Sequence, residues 1–142
     1  WTHSRPWLPT PARDLRDLAR ATRTVREVTG TAARWYRPPY GILTGGRWLA
    51  SHRLGLRPVL WSAWGRDWER AATAASVLAT VRRELHGGGT VLLHDTDATA
   101  APGSWRATLA MLPDLIAHCR AGGLTVGPLA DHGIDHTRPP GR

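Results

Sequence analysis

The chain has 142 residues, 42% of them hydrophobic, which is enough for the core of one modest domain and too apolar for wholesale disorder. A net charge of +8 raises nucleic acid as a partner, but Lys, Asn, Gln and Phe are all absent and the arginines are dispersed, so the excess reads as coding bias and no nucleic-acid interface is expected. No window approaches the roughly 18 uninterrupted apolar residues of a membrane span, and the lone Cys119 excludes a disulfide framework and a Cys-based zinc site within the chain.

Trp stands at position 1, Met111 is the one methionine, and no apolar leader opens the sequence, so the chain is expected to be a truncated piece of a longer one. Thr10-Pro11, the periodic Leu15, Leu18, Val25 and Val28, and the closing Gly30 predict an amphipathic helix. Arg34 to Arg37 predicts a short strand, ended by Pro38-Pro39. Gly45-Gly46 precede a short helix to about His52, and Pro58 to Ser62 is a second strand candidate.

A long helix is predicted from Trp68 to Leu85, broken by Gly87-Gly88-Gly89 before a buried strand over Thr90 to His94. Ser104 is the candidate cap of a last helix running to about Arg120 and kinked at Pro113, and Gly122-Gly123 leads into a strand at Leu124 to Val126. Strand and helix alternate throughout. That order predicts an α/β fold of repeated βα units, with functional residues in the loops after the strands.

Three groups fall in such loops: Arg37-Pro38-Pro39-Tyr40-Gly41, Asp67-Trp68, and Leu92-Leu93-His94-Asp95. Leu92 and His94, two apart on a strand, share a face, so an apolar wall would stand beside a titratable ring. A nearby carboxylate could fix the tautomer of that ring and suit it to proton transfer near neutral pH. Taken singly, each group has an ordinary explanation: a polyproline turn, a helix cap at Asp67, a core histidine at a strand end. Together and in this order they resemble the polysaccharide deacetylase family, carbohydrate esterases that include chitin, peptidoglycan and chitooligosaccharide deacetylases. Trp1-Thr2-His3-Ser4-Arg5-Pro6 resembles the end of that family's His-x-x-x-His metal motif.

The resemblance implies a truncated, deformed (β/α)7 barrel lacking its early strands, with residues 1–130 as the C-terminal portion of the catalytic domain and 131–142 as a loose tail. It implies that His3 is one ligand of a divalent metal, zinc first. Arg37 would hold a catalytic Asp lying outside this chain, and the Tyr40 N–H would bind the oxyanion. His94 would be the general acid tuned by Asp67, and Trp68 and Leu92 would wall the acetyl pocket. The family often has Asp three residues before the Asp-Trp pair, whereas Trp64 stands there in this sequence. The implied activity is metal-dependent removal of acetyl groups from an N-acetylated, or less readily an O-acetylated, polysaccharide outside the cell or at its surface. This chain alone is expected to be inactive, because the paired Asp motif and the other metal His lie outside it. The competing expectation is a non-catalytic carbohydrate-binding module, in which the many Trp residues stack on sugars. The sequence Asp131-His132 with Asp135-His136 has helical metal-ligand spacing, but Gly133 and its neighbours disfavour a helix there.

Overall fold

A computed structural model describes residues 1–3 and 11–132. The chain divides into two compact units, Trp1–Leu60 and Trp61–Arg142. Each contains a parallel strand pair joined through a helix, which is the βα alternation expected from the sequence.

In the first unit α1 spans Pro11–Thr29, β1 Trp35–Tyr36, α2 Gly45–Arg53 and β2 Arg57–Pro58. Pro11 opens α1, where its missing N–H costs nothing, and Gly30 follows the last turn at φ 70°, a conformation that glycine adopts freely. The predicted stripe is only partly covered: Leu15 and Leu18 are half-buried, whereas Val28 is 80% exposed. The Thr44 side chain caps α2 by accepting from the Arg47 N–H at 3.3 Å. Strands β1 and β2 pair in parallel, Trp35 opposite Arg57 and Tyr36 opposite Pro58.

In the second unit β3 is Ala63–Trp64, α3 Ala74–Glu84, β4 Val91–Leu92 and α4 Trp105–Ala121. Strands β3 and β4 are parallel, with Trp64 opposite Leu92. The core is Ala63 with Val77 and Val81 of α3 and Met111, Leu115 and Cys119 of α4. Val91 and Leu93 pack on this cluster, while Leu92 is buried outside it. Alternation along the strand turns Leu92 off the face on which Val91 packs, and His94 lies two residues beyond the end of β4.

Four sequence expectations change. The run Pro58 to Ser62 is not one strand: Arg57–Pro58 joins β1, Ala63–Trp64 joins β4, and the residues between are unpaired as strand. The helix expected from Trp68 begins only at Ala74, because Thr73 and Ser76 form a reciprocal capping box and the preceding residues fold into turns. Ser104 does not cap α4; it is itself in helical conformation, and its buried Oγ has no hydrogen-bond partner among the described residues. Leu124 to Val126 forms no strand, since the Leu124 N–H closes a turn on the Cys119 carbonyl at 2.8 Å and its side chain joins the core. Helix α4 runs on through Pro113, which is exposed, so the Leu109 carbonyl that its missing N–H leaves unbonded is within reach of solvent.

Among the described residues no helix is long and apolar enough to cross a membrane. Of the expected tail, Asp131 ends a short 3-10 turn that starts at Leu129, His132 follows it, and His132 Nε2 sits 3.1 Å from the Gly89 carbonyl. Residues 133–142, with Asp135 and His136, lie outside the described residues, as do Ser4, Arg5 and Pro6 of the expected metal motif.

Candidate active site

The centre of the second unit is the pair Asp67 and His94. Asp67 lies in the loop after β3 and is 1% exposed; His94 follows β4. Asp67 Oδ1 stands 2.9 Å from His94 Nδ1, and Asp67 Oδ2 accepts from the His94 backbone N–H at 2.6 Å and from Thr108 Oγ1 at 2.7 Å. Burial pushes the Asp67 carboxyl up, but the bonds from the His94 ring, Thr108 and the His94 N–H outweigh it and hold the group below the usual carboxylate range. An ionised carboxylate only accepts, so the proton between the two side chains belongs to Nδ1. Nε2 is then the ring's free position, an acceptor when the ring is neutral and a proton donor when it is charged.

Trp68 stands edge-on to His94, with ring centroids 5.6 Å apart, and Leu92, the last residue of β4, is buried two residues before His94. Trp64, paired with Leu92 across the strands, lies 5.0 Å from Trp68, and Trp61 lies 5.9 Å from Trp64. Three indoles thus lead up to the histidine. The bland alternative for Asp67, a cap on the helix that follows, does not hold, because its carboxylate is fully committed to His94 and Thr108.

The first unit holds the other candidates. Pro38 is buried and Pro39–Gly41 makes one 3-10 turn, in which the Gly41 N–H bonds to the Pro38 carbonyl and the Ile42 N–H to that of Pro39. Tyr40 occupies the left-handed region at φ 57°, and its own N–H makes no hydrogen bond among the described residues. His3 stands edge-on to the Tyr40 ring at 4.9 Å. Both His3 and Arg37 line a cavity of about 260 Å³, whose wall also carries Asp14, Asp17, Tyr36 and Arg47. Arg37 is exposed and makes no ion pair among the described residues.

Sequence reasoning missed Thr108 and Arg47, both buried and polar. Thr108 sits on the apolar stripe of α4, and a hydroxyl at a stripe position was the available signal. Arg47, 5% exposed, lies 3.7 Å from Asp14 and donates to the Ile42 carbonyl, with nothing in the local pattern to mark it. The described residues do not fit a metal by themselves: no three His, Cys, Asp or Glu side chains gather, Asp14 faces Arg47, and Asp17 is taken by the Trp1 amino group and the Thr2 N–H.

A family model for polysaccharide deacetylase matches residues 1–59. A chitooligosaccharide deacetylase of Bradyrhizobium sp. (strain ANU 289) is 35% identical over 119 residues, which cover 74% of this chain and 52% of that protein. The chain therefore spans about half the length of this curated relative. A family 4 carbohydrate esterase from Streptomyces lividans, solved in complex with acetate, superposes with a TM-score of 0.76 at 25% identity, over 90% of this chain and 62% of that one. A family 4 pseudoenzyme from Bacillus anthracis shares the fold at a TM-score of 0.80 and 22% identity, over 92% of this chain and 43% of its own. Family model, relative and solved structures agree: the chain is similar to polysaccharide deacetylases and has the fold of family 4 carbohydrate esterases.

Proposed function

We propose that this chain supplies the proton-donating part of a hydrolase that removes acetyl groups from an N-acetylated, chitin-like polysaccharide. The observation that carries the reading is His94, bound through Nδ1 to a buried anionic Asp67 with Nε2 left free. Such a ring takes a proton at Nε2 and returns it to a departing amine, while Asp67 stabilises the imidazolium and fixes its orientation. Trp68 and Leu92 offer an apolar wall on which an acetyl methyl would rest. The unengaged Tyr40 N–H is the proposed donor to the oxyanion.

The reading includes a truncated (β/α)7 barrel and a divalent metal, zinc first, with His3 as the one candidate ligand in this chain. The other ligands and the base paired with Arg37 would come from sequence outside it. A cell-wall substrate implies action outside the cytoplasm.

Acetate release from chitooligosaccharide, peptidoglycan and acetylated xylan tests the reading, measured on the longer protein that carries this chain and its upstream residues, with zinc supplied. Release from an N-acetylated substrate is expected, with His94→Ala lowering kcat by about 10²-fold or more. No acetate from any of the three would sink it. This chain alone is expected to give no turnover.

The train of Trp61, Trp64 and Trp68 favours a second reading, a non-catalytic carbohydrate-binding module. It predicts oligosaccharide affinity that Trp64→Ala weakens and His94→Ala leaves unchanged.

A further inference from the structure

We propose that Thr108 is a positioning residue for His94. It holds the Asp67 carboxylate so that the ring stays in its Nδ1–H form with Nε2 outward. The catalytic meaning of this device rests on the deacetylase reading; the device itself does not.

Thr108, Met111, Leu115 and Cys119 are the four buried residues of α4, spaced three, four and four along one face. The last three fill the core. A hydroxyl at such a position is costly unless it is hydrogen-bonded, and among the described residues the Thr108 hydroxyl has one hydrogen-bond partner, Asp67 Oδ2 at 2.7 Å. Because an ionised carboxylate can only accept, the hydroxyl proton must lie on that bond. Oδ2 therefore receives two donors, the Thr108 hydroxyl and the His94 N–H at 2.6 Å.

These two donors fix the plane of the carboxylate. One sits on a helix and the other at a strand end, so rotating the carboxyl group would break bonds to both. Oδ1 is left directed at His94 Nδ1, 2.9 Å away. The alternative Nε2–H tautomer would set a ring lone pair against a carboxylate lone pair, and a carboxylate that cannot turn aside makes that form costly. Asp67 is the only carboxylate bonded to the ring among the described residues; the neighbouring Asp95 is exposed, as is Arg106 on α4. With a looser carboxylate the ring could exchange tautomers, and Nε2 would carry its proton at the wrong moment of a reaction.

The test is the tautomer of neutral His94, read from side-chain nitrogen shifts in the ¹⁵N-labelled chain, for wild type, Thr108→Val and Thr108→Ser. Wild type and Thr108→Ser are expected to show mainly the Nδ1–H form. In Thr108→Val, which keeps the volume and removes the donor, the Nε2–H share should rise several-fold. If Thr108→Val does not fold, Thr108→Ala gives the same readout. A wild-type tautomer in the hydroxyl-free variant, or a Thr108→Ser protein that behaves like it, overturns the proposal. In the longer protein, Thr108→Val should lower kcat with KM unchanged, and Thr108→Ser should restore it. Absence of acetate release from the wild type would count against the deacetylase reading alone, since the tautomer measurement does not depend on turnover.

Discussion

His94 is tied to Asp67 twice, through its ring at 2.9 Å and through its backbone N–H at 2.6 Å, so the carboxylate fixes both the side chain and the end of the strand that carries it. The Asp67 carboxyl sits below its ordinary value, so its contribution to stability is fully present above the unfolded-state value and is lost as pH falls through the lower native one. Asp67→Ala should cost about 3 kcal/mol at pH 7, because it strands buried donors. Urea unfolding at several pH values checks this: the gap between wild type and variant should narrow as pH falls below the usual carboxylate range. A gap independent of pH would contradict an ionised Asp67.

Tyr40 has a left-handed backbone and is 52% exposed. Tyr40→Gly should keep the turn and remove about 1 kcal/mol of backbone strain, offset in part by lost contact with the His3 ring. Because the proposed donor is the main-chain N–H, this variant of the longer protein should retain acetate release. Loss of acetate release on removing the side chain in this way would overturn the main-chain N–H as the part of Tyr40 that acts.

Arg47 is almost fully buried, 3.7 Å from Asp14. Asp14 helps to compensate that buried charge, so Asp14→Ala should destabilise the fold by about 1–3 kcal/mol. Combining Asp14→Ala with Arg47→Met should recover part of the loss, since the double variant removes the buried charge as well. A double-mutant cycle by chemical denaturation measures the coupling.

Gly65 follows β3 directly against α3. A Cβ at this position would collide with Val77 Cγ1, inside the core. Gly65→Ala should therefore destabilise by about 2 kcal/mol or more, and Val77→Ala in the same chain should relieve part of that penalty. Thermal melts of the two single variants and the double separate a clash from a general intolerance of the loop.

The local parts of the fold were legible. Pro11 and Gly30 bound α1 because a missing donor and a left-handed residue are tolerated only at helix ends, and the apolar run before His94 marked a buried strand. The start of α3 was not: Asp67 resembles a helix cap, and nothing nearby shows that its carboxylate is spent on residues 27 and 41 positions away, leaving Thr73 and Ser76 to cap the helix. Ser104 failed as a cap in the same way, since residue type gives a propensity and the backbone conformation decides. The splitting of Pro58 to Ser62 was equally hidden, because one continuous run serves two sheets.

By itself the sequence determined the βα order and the candidate residues, with the resemblance that assigns them roles, since these follow from periodicity, turn chemistry and motif spacing along one stretch of chain. Only the tertiary structure decided that Asp67 is buried and anionic, that Thr108 is its third tie, and which nitrogen of His94 is free. Those outcomes depend on hydrogen bonds closed between distant segments and on burial, which makes such bonds obligatory.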